Sequence, residues 1–432
     1  MPERFPALED NRNLRFFAFA SLYAAQGLPW GLFVIAIPAW LAGKGLSAAD
    51  IGSFIAIAGL PWSFKLVAGP LMDRFTFLSM GRRRPWVIGA QTGIIAGMLL
   101  LAGAPSPDKH LMLIAGIGFF INSFCALQDV AVDGMAIDVL PEDERARVNA
   151  FMFGGQVAGI SLSSAGGTYL LSLIGLNAAA IICAALVFII MLVPLLLRER
   201  DGEKLLPWTE GEPSSAALSN QLGDFRSIFL DLGRALILPM SILLTLCEFL
   251  NRASSGLFVA ITPVVTVQQL GWADTEYSNW QASAGIVAAI FGVIVAPMID
   301  RRGAGLALIA AISAKLVILA GAGLMVSWWE YKAFFTSIIV VLNLSGQIIT
   351  VAIIALFMNI CARKVAATQF AVYMAISNLA LSAGSGLVKP LSFLSYADMY
   401  FLSAAMCVVF LIAWPLFNLE RHQERLALLE GD

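Results

Sequence analysis

Gly69-Pro-Leu-Met-Asp73-Arg74 ends the second long apolar run of the chain, and Ala296-Pro-Met-Ile-Asp300-Arg301 ends the eighth. Both segments place a small residue, a proline, two apolar residues and an Asp-Arg pair in the same order. Duplication of a six-helix unit is the simplest source of this echo, and such repeats are typical of secondary transporters. The sequence therefore predicts two pseudosymmetric bundles.

The composition indicates that lipid is the solvent of this chain. Of its 432 residues, 59% are hydrophobic and 13% are charged, whereas a soluble domain carries about 25% charged residues. The net charge of −2 gives no basic surplus for binding nucleic acid. Two histidines and five cysteines show no metal-binding or redox spacing, so we expect no metal site, no cofactor and no catalytic centre.

Apolar runs of roughly 20 residues, each long enough to cross a bilayer, divide the chain into two sets of six helices. The predicted helices are 14–41, 50–73, 85–104, 110–139, 146–173 and 176–197, followed by 235–268, 278–300, 305–327, 330–360, 365–388 and 397–418. The predicted domains are accordingly 1–197 and 234–432, joined by a polar linker at 198–233. The expected fold class is an all-α membrane protein.

Basic residues accumulate at one side of the predicted helices, near both termini, the linker and the loops after helices 2, 4, 8 and 10. Cytoplasmic loops carry an excess of Lys and Arg. We therefore predict that both termini and the linker are cytoplasmic.

Polar residues at membrane depth are costly, roughly 2.5 to 3.5 kcal/mol for a charge at the helix centre, so they should face the bundle interior or a wet cavity. Apart from Lys65 on helix 2, these residues fall on helices 1, 4, 7 and 10. They are Gln26, Lys65, Asn122, Asp129, Asp133, Glu248, Asn251, Arg252, Asn343 and Gln347.

Asp129 and Asp133 are four residues apart and share one face of helix 4. Lys65 lies at a similar depth on helix 2. Our hypothesis is that Lys65 neutralises one carboxylate while the other takes up a proton, because two neighbouring buried carboxylates resist double ionisation. The alternative is a static ion cluster that only locks helix 2 to helix 4.

Substrate-binding candidates line the expected central cavity between the bundles. They are Gln26, Trp30, Asn122, Glu248, Asn251, Arg252, Asn343 and Gln347. Arg252 is the best candidate for an anionic group, because a guanidinium pairs with carboxylate or phosphate in a fork; Glu248, one turn away, could instead simply satisfy it. We interpret Lys315 as a residue whose ammonium reaches the membrane surface, and Lys389 as a charge at the outer rim.

The first signature segment, with Gly81-Arg82-Arg83-Arg84 after it, resembles the loop between helices 2 and 3 of the major facilitator superfamily. Asp138, Pro141 and Arg145 resemble its partner motif after helix 4. The resemblance implies that the gating residues form a cytoplasmic charge network. They are Asp73, Arg74, Asp138, Arg145 and Asp300.

Within the superfamily, Phe64-Lys65 and Leu127-Gln128-Asp129-Val-Ala-Val-Asp133-Gly resemble the AmpG-type muropeptide permeases and the related acetyl-CoA transporters. This resemblance implies a monomer in the bacterial inner membrane that works by alternating access. It also implies proton-driven uptake of an anionic or glycosylated metabolite, such as an anhydro-muropeptide.

Three other functions remain open from the residues. Export by proton antiport shares every feature above, and directional flux decides between the two. An intramembrane aspartyl enzyme takes its two acids from separate helices, whereas Asp129 and Asp133 lie on one. A non-transporting receptor or assembly factor would leave the buried charges without a mechanistic use.

Overall fold

The structure of this chain is a computed structural model that describes residues 6–75, 77–214, 232–362 and 365–431. Long helices make up almost all of the described chain. The helices before the linker are α1 (Arg12–Gly31, a π turn at Leu32–Ala36, and Ile37–Gly43), α2 (Ala48–Gly59, a 3-10 turn at Leu60–Phe64, and Lys65–Arg74), α3 (Arg84–Ala102), α4 (Pro107–Val139), α5 (142–174, with a π turn at Leu162–Gly166) and α6 (176–196). The helices after the linker are α7 (Pro239–Val264, followed by a π turn at Val265–Gln269), α8 (Asp274–Arg302), α9 (Ala304–Leu324), α10 (Lys332–Ile360), α11 (Ala366–Leu387), α12 (Tyr396–Ala413) and α13 (Leu419–Gly431).

Within the described ranges, eleven helical stretches are long and apolar enough to cross a membrane. One of them, Glu142–Leu196, is 55 residues long, and Gly175 interrupts it with φ +80° and ψ 175°. Glycine adopts this φ at no steric cost, so Gly175 ends α5 and begins α6. The predicted all-α fold of about twelve spanning helices is confirmed.

Glycines let two pairs of helices approach at backbone distance. A Cβ on Gly155 of α5 would collide with the carbonyl oxygen of Ala20 on α1, and one on Gly159 would collide with that of Ala24. Small residues at such crossings are the usual device of membrane helices, since lipid supplies no hydrophobic drive for their association.

The second half repeats this crossing. A Cβ on Gly256 of α7 would meet the backbone of Leu381 on α11, and one on Gly384 of α11 would meet that of Ala253 on α7. Helices 1 and 5 of each six-helix set therefore pack in the same way, so the two halves resemble each other in helix packing as well as in sequence.

Packing groups the described residues into two compact units, one from Met1–Ile37 and Phe64–Gly223 and the other from Pro38–Ser63 and Asp224–Asp432. Residues 38–63 thus pack in the second unit, whereas the sequence predicted that they belong to the first domain, 1–197. Gln268 Nε2 donates to the carbonyl oxygens of Ala42 and Leu46 at 2.9 and 2.8 Å. Since packing need not follow the duplication, the boundaries 1–197, 198–233 and 234–432 stay a prediction.

The amphipathic helix α13 follows the last spanning helix and lies beyond the predicted elements. Its Leu426 is 7% exposed and packs in a small core with Ala235, Ala362 and Val365. Its His422 donates through Nε2 to the carbonyl oxygen of Ile360, at the end of α10, at 2.9 Å. These contacts fix α13 against the ends of α7 and α10.

Candidate functional site

Five side chains of the first unit meet at membrane depth, and we call them the first-unit cluster: Tyr23, Gln26, Lys65, Asp129 and Asp133. The Lys65 ammonium pairs with Asp129 Oδ2, and Gln26 Nε2 donates to Asp129 Oδ1. The Tyr23 hydroxyl donates to Asp133 Oδ1. The structure therefore brings together the three residues that the sequence predicted for proton coupling.

Helical spacing presents these groups to one another. Tyr23 and Gln26 are three residues apart on α1, and the two aspartates are one turn apart on α4, so each pair shares a helix face. Gln128 fixes the approach of α4 to α1, because its Nε2 donates to the carbonyl oxygen of Leu22 at 2.7 Å.

The two aspartates have different surroundings. Asp129 is 6% exposed and takes both a cation and an amide donor. Asp133 is accessible to solvent, and its described hydrogen bond is to the neutral hydroxyl of Tyr23. Lys65 therefore compensates Asp129 directly, and the charge of Asp133 is the one in excess.

Glu248, Asn251, Arg252, Ser255 and Lys315 form a second group, the second-unit cluster. Asn251 Nδ2 donates to Glu248 Oε2 at 3.0 Å, and Arg252 Nε lies 3.8 Å from Glu248 Oε1. The Lys315 ammonium donates to the backbone oxygen of Asn251, to its Oδ1 and to Ser255 Oγ at 3.0, 3.0 and 3.1 Å. Two cations and one carboxylate thus share a connected network.

The prediction that the Lys315 ammonium reaches the membrane surface is wrong. Lys315 is 6% exposed and lies near the middle of α9, where its stem is too short to reach either end. Its ammonium instead finds oxygen acceptors on α7. The central position of the lysine in an apolar helix was the sequence signal for an interior partner.

The other substrate candidates do not join either cluster through a contact described in the structure. Asn343 Nδ2 lies 3.3 Å from Gln281 Oε1 on α8 and donates to its own helix, and the Gln347 side chain borders Gly292 of α8. Asn122 is 2% exposed and donates to the Gly118 carbonyl of α4 at 3.0 Å. Trp30 is half-buried on α1. Their roles stay predictions.

The predicted gating residues are only partly described. The side chains of Asp73 and Asp300 lie outside the described part of the structure. Asp138 Oδ2 lies 3.7 Å from Arg83 Nε, so one predicted residue does contact the Gly81-Arg82-Arg83-Arg84 segment. Arg74 lies over the Phe75 ring and Arg145 is exposed, and neither position tests a gating role.

Two buried glutamates near the predicted gating segments, Glu144 and Glu199, were not identified from the sequence. Glu144 receives two bonds from the Arg15 guanidinium, at 2.8 and 2.9 Å. Glu199 accepts the backbone N–H groups of Arg82, at 3.0 Å, Arg83, at 2.8 Å, and Arg84. A carboxylate there satisfies the free N–H groups at the start of α3. Burial nevertheless raises the pKa of Glu199.

Comparison with known proteins agrees with this architecture. The family model described as Major Facilitator Superfamily matches residues 19–385. The chain is 26% identical over 361 residues to the anhydromuropeptide permease of Escherichia coli K12, covering 82% of this chain and 69% of that protein. It is 23% identical over 377 residues to a putative AmpG 4 transporter of Rickettsia conorii, covering 85% and 87% of the two chains.

Solved structures share the fold. A POT family transporter in complex with a thioalcohol-conjugated peptide has a TM-score of 0.67 at 13% identity, covering 92% of this chain and 94% of its own. The peptide transporter POT in complex with sulfate has a TM-score of 0.69 at 13% identity, covering 96% and 95%. With the family model matching most of its length, the chain belongs to the major facilitator superfamily and is a membrane-spanning transporter that resembles the AmpG permeases.

Proposed function

We propose that this transporter is a proton-coupled importer of an anionic, glycosylated metabolite of the anhydro-muropeptide class. The similarity to the anhydromuropeptide permease of Escherichia coli supports the substrate class. We place the protein as a monomer in the bacterial inner membrane, with both termini and the linker in the cytoplasm, working by alternating access. The positions of Lys and Arg along the sequence support this orientation.

The charge count of the first-unit cluster carries the proposal of proton coupling. Lys65 contributes one positive charge against the two carboxylates of Asp129 and Asp133. Because Lys65 and Asp129 pair directly, one proton on Asp133 brings the cluster to neutrality. When the cluster is closed off from water during the transport cycle, a neutral cluster costs less free energy than a charged one.

The second-unit cluster supports an anionic substrate. Its two cations, Arg252 and Lys315, outnumber the single carboxylate of Glu248. The side chain of Arg252 is 29% exposed and lies 3.8 Å from Glu248. A guanidinium held in this loose contact is suited to binding a substrate carboxylate in a fork.

Replacing Asp133 with Asn tests the proton role. Asparagine still accepts the Tyr23 hydroxyl but cannot take up a proton, so we expect uptake of labelled anhydro-muropeptide to stop responding to an imposed pH gradient. Counterflow exchange, which needs binding but no proton gradient, should persist. The measurement compares both assays in liposomes for Asp133→Asn, Asp129→Asn and the exposed control Asp10→Asn.

The control should keep both activities. Asp129→Asn leaves Lys65 without its carboxylate, so we expect it to lower the melting temperature as well as transport. Unchanged pH-driven uptake in both cluster variants would favour the static ion cluster instead.

A further inference from the structure

The contact between Glu248 and Arg252 in the second-unit cluster is looser than their spacing on α7 allows. An acid and a base four residues apart on a helix face each other and can form a hydrogen-bonded pair. Here Arg252 Nε lies 3.8 Å from Glu248 Oε1, which is too long for a hydrogen bond. Arg252 Nε is buried and has no hydrogen-bond partner among the described residues. A third group therefore has to explain why the pair stays open.

Asn251 holds the other oxygen of this carboxylate. Its Nδ2 donates to Glu248 Oε2 at 3.0 Å, and the two residues are three positions apart on α7. Glu248 is 5% exposed, so little water competes for that oxygen. A hydrogen bond to an ionised carboxylate is among the stronger ones in proteins. Asn251 thus fixes the carboxylate at a distance from which Arg252 does not donate to it.

Lys315 on α9 determines which way the Asn251 amide faces. Its ammonium donates to Asn251 Oδ1 at 3.0 Å, and also to the Asn251 backbone oxygen and to Ser255 Oγ. Turning the amide over would bring its NH2 group to the ammonium and its oxygen to the Glu248 carboxylate, so both contacts would become repulsive. The three acceptors use all three hydrogens of the ammonium. Lys315 therefore orients Asn251 and has no donor left for a substrate.

Arg252, by contrast, keeps its donors. Its side chain is 29% exposed, against 7% for that of Glu248, and its ion-pair partner among the described residues is Glu248 at 3.8 Å. A guanidinium binds a carboxylate best through two parallel N–H bonds. A closed pair with Glu248 would occupy those donors, whereas the open pair leaves them for another carboxylate.

We propose that Asn251, oriented by Lys315, holds Glu248 away from Arg252 and so keeps the guanidinium open for a carboxylate of the substrate. Glu248 is then a competitor built into the protein, because it takes the place of the substrate when Asn251 releases it. Asn251 and Lys315 are positioning residues, and Glu248 sets how tightly an anion binds. This inference rests on the proposed anion site at Arg252, but on neither proton coupling nor the direction of transport.

The test measures KM and the maximal rate of counterflow exchange in liposomes. The probe is labelled anhydro-N-acetylmuramic acid, a sugar acid with a single carboxylate. Asn251→Ala frees Glu248 to pair with Arg252, so KM should rise by about tenfold, the equivalent of one charge-assisted hydrogen bond. Asn279→Ala, at an exposed position on α8, is the matched control and should keep the wild-type KM.

Glu248→Gln should act in the opposite direction. Removing the competing charge should lower KM by about threefold or more, and it should lower the maximal rate because the anion leaves Arg252 more slowly. Combined with Asn251→Ala, it should return KM to the wild-type value or below, since no acid remains to close on Arg252. A purely structural role of Asn251 would reduce the amount of folded protein, and a second change at Glu248 would not restore KM.

Arg252→Gln separates this inference from the proposed function. An unchanged KM in Arg252→Gln overturns the anion site and this inference with it. A raised KM in Arg252→Gln leaves the anion site standing, and the restraint alone is then overturned if Asn251→Ala does not raise KM or Glu248→Gln does not lower it. Opposite shifts in these two variants support the restraint. If Asn251→Ala does not fold, the KM of Glu248→Gln decides.

Discussion

At the scale of single residues, Lys315 shows how a membrane helix accommodates a buried cation. Its ammonium lies among three oxygens of Asn251 and Ser255, which replace the water that it loses. Asn251 in turn donates to Glu248, so the carboxylate is connected to the lysine through one amide. The lysine therefore stabilises both the α7–α9 packing and the charge of Glu248.

Replacing Lys315 with Met should lower the free energy of unfolding by about 2 to 4 kcal/mol, because it removes charge-assisted hydrogen bonds and leaves Glu248 less compensated. Lys389→Met at an exposed position should change it by less than about 0.5 kcal/mol. Denaturant unfolding of the purified variants measures both. Adding Glu248→Gln to Lys315→Met should recover part of the loss, and strictly additive effects would show that the two residues are not coupled.

At the scale of helices, the glycine crossings set how closely α1 meets α5 and α7 meets α11. The carbonyl oxygens of Ala20 and Ala253 occupy the space that a side chain on Gly155 or Gly384 would need. Neither backbone can move without displacing the helix that carries a cluster: Tyr23 and Gln26 are on α1, and the second-unit residues from 248 to 255 are on α7.

Gly155→Ala and Gly384→Ala should therefore be strongly destabilising, by more than about 2 kcal/mol. The adjacent Gly154 has open space around it, so Gly154→Ala should be neutral or stabilise by up to about 1 kcal/mol through helix propensity. Melting temperatures of the three variants test this. Equal effects of Gly154→Ala and Gly155→Ala would contradict the crossing.

Hydropathy predicts the spanning helices well because the bilayer imposes a minimum length on every one of them. The boundary at Gly175 falls between the predicted helices 146–173 and 176–197. Hydropathy does not predict α13, because its 13 residues mix charged and apolar side chains and it is attached to the protein through Leu426 and His422.

For the clusters, the cost of burying charge identifies which residues matter but not which ones meet. That cost is sufficient to single out Lys65, Asp129 and Asp133 from the sequence. The pairing of Lys315 with Asn251, and of Glu199 with the start of α3, depends on the tertiary approach of segments that are distant in sequence. No local pattern encodes either contact.

At the scale of the whole molecule, each six-helix set holds a charged network within its spanning helices, the first-unit cluster in one set and the second-unit cluster in the other. The first-unit cluster has one carboxylate more than its cation, and the second-unit cluster has one cation more than its carboxylate. The two networks are related in position along the duplicated sequence, since α1 and α7 are the first helices of their sets, but they are opposite in sign.

The opposite signs have an electrical consequence. A proton on Asp133 adds one positive charge, and a monoanion at Arg252 adds one negative charge, so the loaded carrier has the same total charge as the empty one. Under the proposed mechanism, uptake of a monoanion with one proton is electroneutral. In liposomes with equal pH on both sides, a potassium diffusion potential set with valinomycin should leave its initial rate unchanged, whereas a voltage-dependent rate would require a different number of protons per substrate.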